Sequence, residues 1–169
     1  MENNDSETMQ KDFLKDQFFL ASWAAAVRHN RTWTEITEQE ERLKFRGNVK
    51  KFLEEILLSY TEKVGSDTHA ANIKKLQDAT EEFGERCKIG TCQKLMNLLC
   101  KYYWCAGWIA EPPHCPLDRK ILRAVGINRN WTEIDDLEEY KTIIKTIEEK
   151  ARQNSTTVAA WELCEWQED

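Results

Sequence analysis

Apolar residues recur along this chain at intervals of three and four, and apolar–polar alternation is sustained nowhere, so the pattern predicts helices and no strands. Residues 11–28 carry Phe13, Leu14, Phe18, Phe19, Trp23, Ala26 and Val27 mostly at helical spacing, broken by His29-Asn-Arg-Thr-Trp33. Thr37 with Glu40 reads as a capping box that opens a helix to about residue 60, with Leu43, Val49, Phe52, Leu53, Ile56 and Leu57 on one stripe. A turn at Gly65-Ser-Asp precedes a third helix, to residue 82, carrying Ile73, Leu76 and Ala79. A fourth helix is expected after Gly90, capped by Thr91 and running to about residue 105.

Residues 107–116 hold all three prolines. Pro116 suits the first turn of a short fifth helix over 117–125, which Gly126 ends. Asp135 with Glu138 makes a second capping box for a helix to about residue 152, and Thr156 or Thr157 caps a last one over 158–166. The expected fold is all-α: a compact bundle of about seven helices in one domain over 10–169, behind a disordered 1–9. One internal echo stands out. Asn30-Arg-Thr-Trp-Thr-Glu-Ile36 and Asn128-Arg-Asn-Trp-Thr-Glu-Ile134 each lead into a helix. The similarity fades within about ten residues, so it is read as two similar lead-in segments and not as a repeat.

Composition supports this reading. Apolar residues make up 41% and charged residues 32% of the 169, a balance that excludes disorder for most of the chain. The polar, acidic start lacks the features of a signal peptide, and no apolar run approaches the roughly 18–20 residues of a membrane span. The expectation is a soluble, cytoplasmic protein with no membrane partner.

Charge changes the picture. The chain carries a net −6, which argues against indiscriminate polyanion binding. Residues 84–131 nevertheless hold eight basic residues (Arg86, Lys88, Lys94, Lys101, Arg119, Lys120, Arg123 and Arg129) against Glu85, Glu111 and Asp118, a net of +5. The rest carries 16 basic and 27 acidic residues, a net of −11. A basic centre between acidic flanks points to phosphate contacts, with Lys88, Lys101, Arg119, Lys120 and Arg123 as the cations. The N–H groups at Gly90, where a helix opens, could meet a phosphate as well. Tyr102, Tyr103 and Trp104 beside these lysines are the residue types that stack bases, and equally the types that fill a core.

Five of the six cysteines, Cys87, Cys92, Cys100, Cys105 and Cys115, fall within 87–115. Three of them share one predicted helix and cannot converge on a single ion, so buried thiols are expected here, without metal or other cofactor. The stretch Glu111-Pro-Pro-His-Cys-Pro-Leu-Asp118 restricts its backbone around His114 and Cys115. A rigid path of this kind could present His114 and Asp118 to a cleft as general acid and base. It could equally leave Asp118 as a helix cap and His114 hydrogen-bonded to the loop.

In order, Gly90, Lys94, Pro116-Leu-Asp118 and Ile121-Leu-Arg-Ala-Val125-Gly126 resemble the heart of the helix-hairpin-helix DNA glycosylases. In that superfamily a glycine turn opens a lysine-bearing helix, and a short loop leads to an aspartate at the next helix start. The resemblance implies that Lys94 is the nucleophile attacking the sugar carbon, and that Asp118 stabilises the developing positive charge once a base is flipped out. It covers residues 84–128 and departs from the family in three respects. Only one glycine of the Gly-x-Gly turn is present, the 24-residue step from Lys94 to Asp118 is long, and the cysteine spacing does not match the iron–sulfur loop of some members. The loop is also similar to a Pro-Pro-His-Cys-Pro-x-Asp loop of prokaryotic proteins, which implies no activity. Two functions follow as expectations. One is a nucleic-acid-binding protein, glycosylase- or lyase-like, acting on DNA or RNA. The other is a non-enzymatic protein-interaction module, such as a phage–host or defence-related factor, using its acidic flanks or the Trp-rich end Trp161-Glu-Leu-Cys-Glu-Trp166.

Overall fold

The computed structural model describes residues 2–27 and 33–167, with side chains from residue 5 onward, and among them every regular element is a helix, with no strand. The order is α1 (Glu2–Val27), α2 (Gln39–Leu57), a 3-10 turn (Leu58–Thr61), α3 (Ser66–Glu82), α4 (Ile89–Cys105), α5 (Arg119–Ala124), a 3-10 turn (Trp131–Glu133), α6 (Leu137–Gln153) and α7 (Val158–Gln167). No described helix is long and apolar enough to cross a membrane.

α4 is the axis. Every residue from Ile89 through Cys100 is buried, while α1, α3, α6 and the second 3-10 turn pack around it. A helix enclosed on all sides should be apolar all round. This one is not: Gln93, Lys94 and Asn97 are among its buried residues. The apolar core around it includes Phe45, Leu53, Ile73, Leu76, Met96, Leu99, Ile121 and Ile147.

The helices keep their expected order, but several boundaries move. α1 begins at Glu2, so residues 2–9, within the stretch expected to be disordered, are helical, although residues 5–14 are all exposed. The Thr37–Glu40 box does not form: Glu38 is the N-cap of α2, with no side-chain capping bond. Thr91 is not a cap either, because α4 starts two residues earlier, at Ile89, and buries it. α5 is shorter than expected and is capped by Asp118, whose Oδ1 accepts from the Ile121 N–H at 3.0 Å. Gly126 (φ +74°) closes α5 in the left-handed conformation, as expected. The cap of α6 is Asp136, not Asp135. Thr157 does cap α7, accepting from the Ala160 N–H at 3.3 Å.

The two echoing segments are held by adjacent residues of the α3–α4 connection. Within the first segment, residues 28–32 lie outside the described residues. Its remainder is gripped by the buried Glu85 carboxylate, which accepts from the N–H groups of Thr34, Glu35 and Ile36 and from the Thr34 hydroxyl, at 2.7–3.0 Å. Burial pushes Glu85 toward its neutral form, but these donors outweigh it and hold the carboxyl below its ordinary range. The next residue, Arg86, donates to both carboxylate oxygens of Asp135, just beyond the second segment, at 2.9 and 3.1 Å. That contact, with donors from Gln77 and the Ile89 N–H, explains why Asp135 cannot cap α6.

Candidate nucleic-acid interface

The proline stretch lies against α4, and side-chain amides hold it there. Gln93 Nε2 donates to the Leu117 carbonyl and Gln93 Oε1 accepts from the Leu117 N–H, both at 3.0 Å, the reciprocal pair that a neighbouring strand would supply. One turn on, Asn97 Nδ2 donates to the Cys115 carbonyl at 3.0 Å. Three backbone polar groups of this extended, proline-restricted stretch are thereby satisfied by the helix it lies against.

The candidate residues separate into two places. Lys94 and Asp118 meet: Lys94 Nζ lies 2.8 Å from Asp118 Oδ2, with side chains only 7% and 15% exposed, and the Trp131 ring centroid is 5.9 Å from the ammonium. His114 is elsewhere. It is 1% exposed and its contacts run to Tyr140 and Ser66, with the His69 ring 4.6 Å away in an edge contact.

The hydrogen bonds around the two histidines fix their protonation. Asn97 Nδ2 is a donor to the Cys115 carbonyl, so its Oδ1 accepts from His69 Nε2–H at 2.6 Å, and His69 Nδ1 accepts from the Tyr60 hydroxyl at 2.8 Å. Asn97 Nδ2 also donates to the Tyr140 oxygen at 3.1 Å, so the Tyr140 hydroxyl hydrogen goes to His114 Nδ1 at 2.8 Å. His114 Nε2–H then donates to Ser66 Oγ at 2.8 Å, and Ser66 donates to Glu148 at 3.1 Å. Every group has a partner when both rings are neutral. Burial holds His69 down at about 4. Burial and the adjacent His69 hold His114 well below its ordinary value. A residue so enclosed is a structural hub, and its ring is hydrogen-bonded at both nitrogens.

The expected phosphate contacts also divide. Gly90 is buried, its N–H donates to the Ile134 carbonyl at 2.7 Å, and a Cβ there would stand 1.9 Å from the Trp131 carbonyl oxygen. The opening of α4 is thus covered by the second 3-10 turn and is not free to receive a phosphate. Lys101 pairs with Glu162 of α7 at 2.9 Å, the lysine side chain 16% and the glutamate 1% exposed. Burial raises Glu162 above the ordinary carboxylate value, with Lys101 opposing it. Lys101 and Lys120 both lie over the half-exposed Trp166 ring, at 5.3 and 5.5 Å, whereas Trp161 is buried in the core. Lys88 is exposed ahead of α4. The buried thiols of Cys92, Cys100 and Cys115 are pushed up by desolvation, which makes them poor nucleophiles, and no cluster of three or more metal-binding side chains occurs among the described residues.

Arg119 and Arg123 remain, one turn apart on the exposed face of α5. They line a surface concavity of about 240 Å³ together with Ile127, Asn128, Arg129 and Asn130. Three larger concavities lie elsewhere, and none of the four is lined by Lys94, Asp118 or His114. Neither Arg119 nor Arg123 has an ion-pair partner among the described residues, nor does Lys88. In the sequence Arg129 stands out only as one charge of the basic centre, and Asn128 and Asn130 are not marked as site residues. The available signal was the echo, whose second copy carries Asn128, Arg129 and Asn130 on the connection that follows α5.

The chain matches no family model, no curated protein and no solved structure.

Proposed function

We propose that this protein binds nucleic acid through the surface formed by α5 and residues 127–130. The observation that carries this reading is the convergence of Arg119 and Arg123, neither in an ion pair among the described residues, with two asparagines on one concavity of a chain whose net charge is −6. Guanidinium groups match phosphate oxygens in pairs, and amides can take sugar or base edges. The buried Lys94–Asp118 pair supports the same surface from beneath, since Asp118 also caps the helix that carries the arginines. Fluorescence anisotropy with short DNA and RNA strands at low salt tests the reading. Binding should weaken with a shallow salt dependence of about two phosphates and should be lost in Arg119→Gln/Arg123→Gln. Undetectable binding of every strand at low salt would sink it.

A second reading, glycosylase- or lyase-like chemistry, is favoured by one observation: two of the three expected catalytic side chains, Lys94 and Asp118, are in contact. In this reading the neutral Lys94 amine bonds to the sugar carbon of a flipped nucleotide as the bond from that carbon to the base breaks. The departing base takes up the proton that Lys94 gives up, and Asp118 stabilises the positive charge that develops on the sugar. Trp131 would have to swing aside, because the Lys94 side chain is only 7% exposed. Borohydride trapping of a Lys94–DNA adduct on damaged-base duplexes is the direct test. A Lys94→Ala protein with undiminished trapping would exclude the role.

A further inference from the structure

We infer that the arginine concavity receives a phosphomonoester at the end of a nucleic-acid strand, in preference to the phosphodiesters of its interior. This rests on the nucleic-acid reading above and narrows its ligand. The concavity is small, about 240 Å³, and is lined by only six residues of α5 and the connection that follows it. Two of its three guanidiniums, Arg119 and Arg123, are in no ion pair among the described residues. The third is already neutralised. Arg129 Nε lies 2.6 Å from Glu139 Oε1, Nη2 lies 3.3 Å from Glu139 Oε2, and Nη1 lies 3.4 Å from Glu133 Oε2.

Arg129 therefore brings no spare positive charge, and the Glu133 and Glu139 carboxylates paired with it would repel a strand continuing past them. Outside residues 84–131 the chain carries a net −11, which disfavours a long polyanionic footprint. An end phosphate suits this arrangement. It carries a charge of about −1.5 to −2 and three free oxygens, against one charge and two free oxygens for an interior diester. Two unpaired guanidiniums can engage such a dianion in a paired, planar fashion. Asn128 and Asn130 supply neutral polar groups for the adjoining sugar.

The test compares one short single-stranded sequence in four forms: 5′-phosphorylated, 3′-phosphorylated, hydroxyl-ended and covalently closed into a circle. A free nucleoside monophosphate serves as competitor. Linear phosphorylated strands should bind at least about tenfold more tightly than the hydroxyl-ended and circular forms, the difference expected for one charge-assisted pair. Arg119→Gln/Arg123→Gln should abolish that difference while its thermal unfolding stays that of the parent. Equal affinity for all four forms would overturn the end-reading but leave strand binding standing. Displacement of the strand by an equal concentration of monophosphate would also overturn it, in favour of a free-nucleotide site. If no form binds, the nucleic-acid reading itself fails first.

Discussion

α4 sends two polar stripes into the core, and they solve the same problem in opposite ways. Gln93 and Asn97 form a neutral stripe, each amide hydrogen-bonded to the backbone of the proline stretch, with His69, His114, Tyr60 and Tyr140 completing the network. Lys94 and Lys101 form a charged stripe, each matched by one carboxylate from a distant element. The neutral stripe succeeds by counting: each donor meets an acceptor, and no buried side-chain polar atom among the described residues is left without a partner. The charged stripe succeeds by compensation, which is costlier to assemble and far costlier to half-dismantle. Candidate catalytic groups that sit four residues apart in the proline stretch, His114 and Asp118, are thereby assigned to different stripes.

The largest expected effect comes from breaking the charged stripe on one side only. Asp118→Ala removes both the partner of Lys94 and the cap of α5, and should cost about 4 kcal/mol of stability, the usual cost of orphaning a buried charge. Chemical denaturation measures it, and a loss below about 1 kcal/mol would show that Lys94 escapes to water. The neutral stripe should fail in acid. His69 is held at about 4 when folded and returns to about 6.5 when unfolded. Its neutral form therefore supports the fold fully above pH 6.5, and stability falls as the unfolded chain takes up a proton between pH 6.5 and 4, by about 3 kcal/mol. Glu162, raised by burial, acts in the opposite sense, so the comparison is with His69→Gln. That variant should show a flatter dependence over the same window, and an unchanged slope would break the assignment. The smallest effect is expected from replacing a charged pair whole. Lys101→Met/Glu162→Leu should change stability by no more than about 1–2 kcal/mol in either direction, whereas either single change should cost clearly more.

The contrast also separates what the sequence discloses from what it conceals. Helices are legible because burial on one face imposes a period, as in α6, where Tyr140, Ile143, Ile144, Ile147 and Ala151 are all buried. Caps are less legible, since a competing partner decides them. Asp135 and Asp136 are chemically equal candidates, and Arg86, 49 residues away, takes the first. The start of α1 is hidden because residues 5–9 are all exposed and show no apolar face. The burial of Lys101 depends on a glutamate 61 residues distant, and that of Gly90 on a carbonyl some 40 residues downstream. Local spacing holds no trace of either. The Lys94–Asp118 contact was foreshadowed by a pattern of motifs, and the exclusion of His114 from it was not, because the partners that claim His114 lie on α3 and α6.

Glu85 and Arg86 give the molecule a two-residue fulcrum. One reaches back to the segment before α2 and the other forward to the segment before α6, so stretches about a hundred residues apart in the chain share one anchor. A single residue inserted between them would turn one grip away from its load while leaving the other in place. The helices on the released side would then lose their footing together, so this short connection should tolerate a change of length poorly.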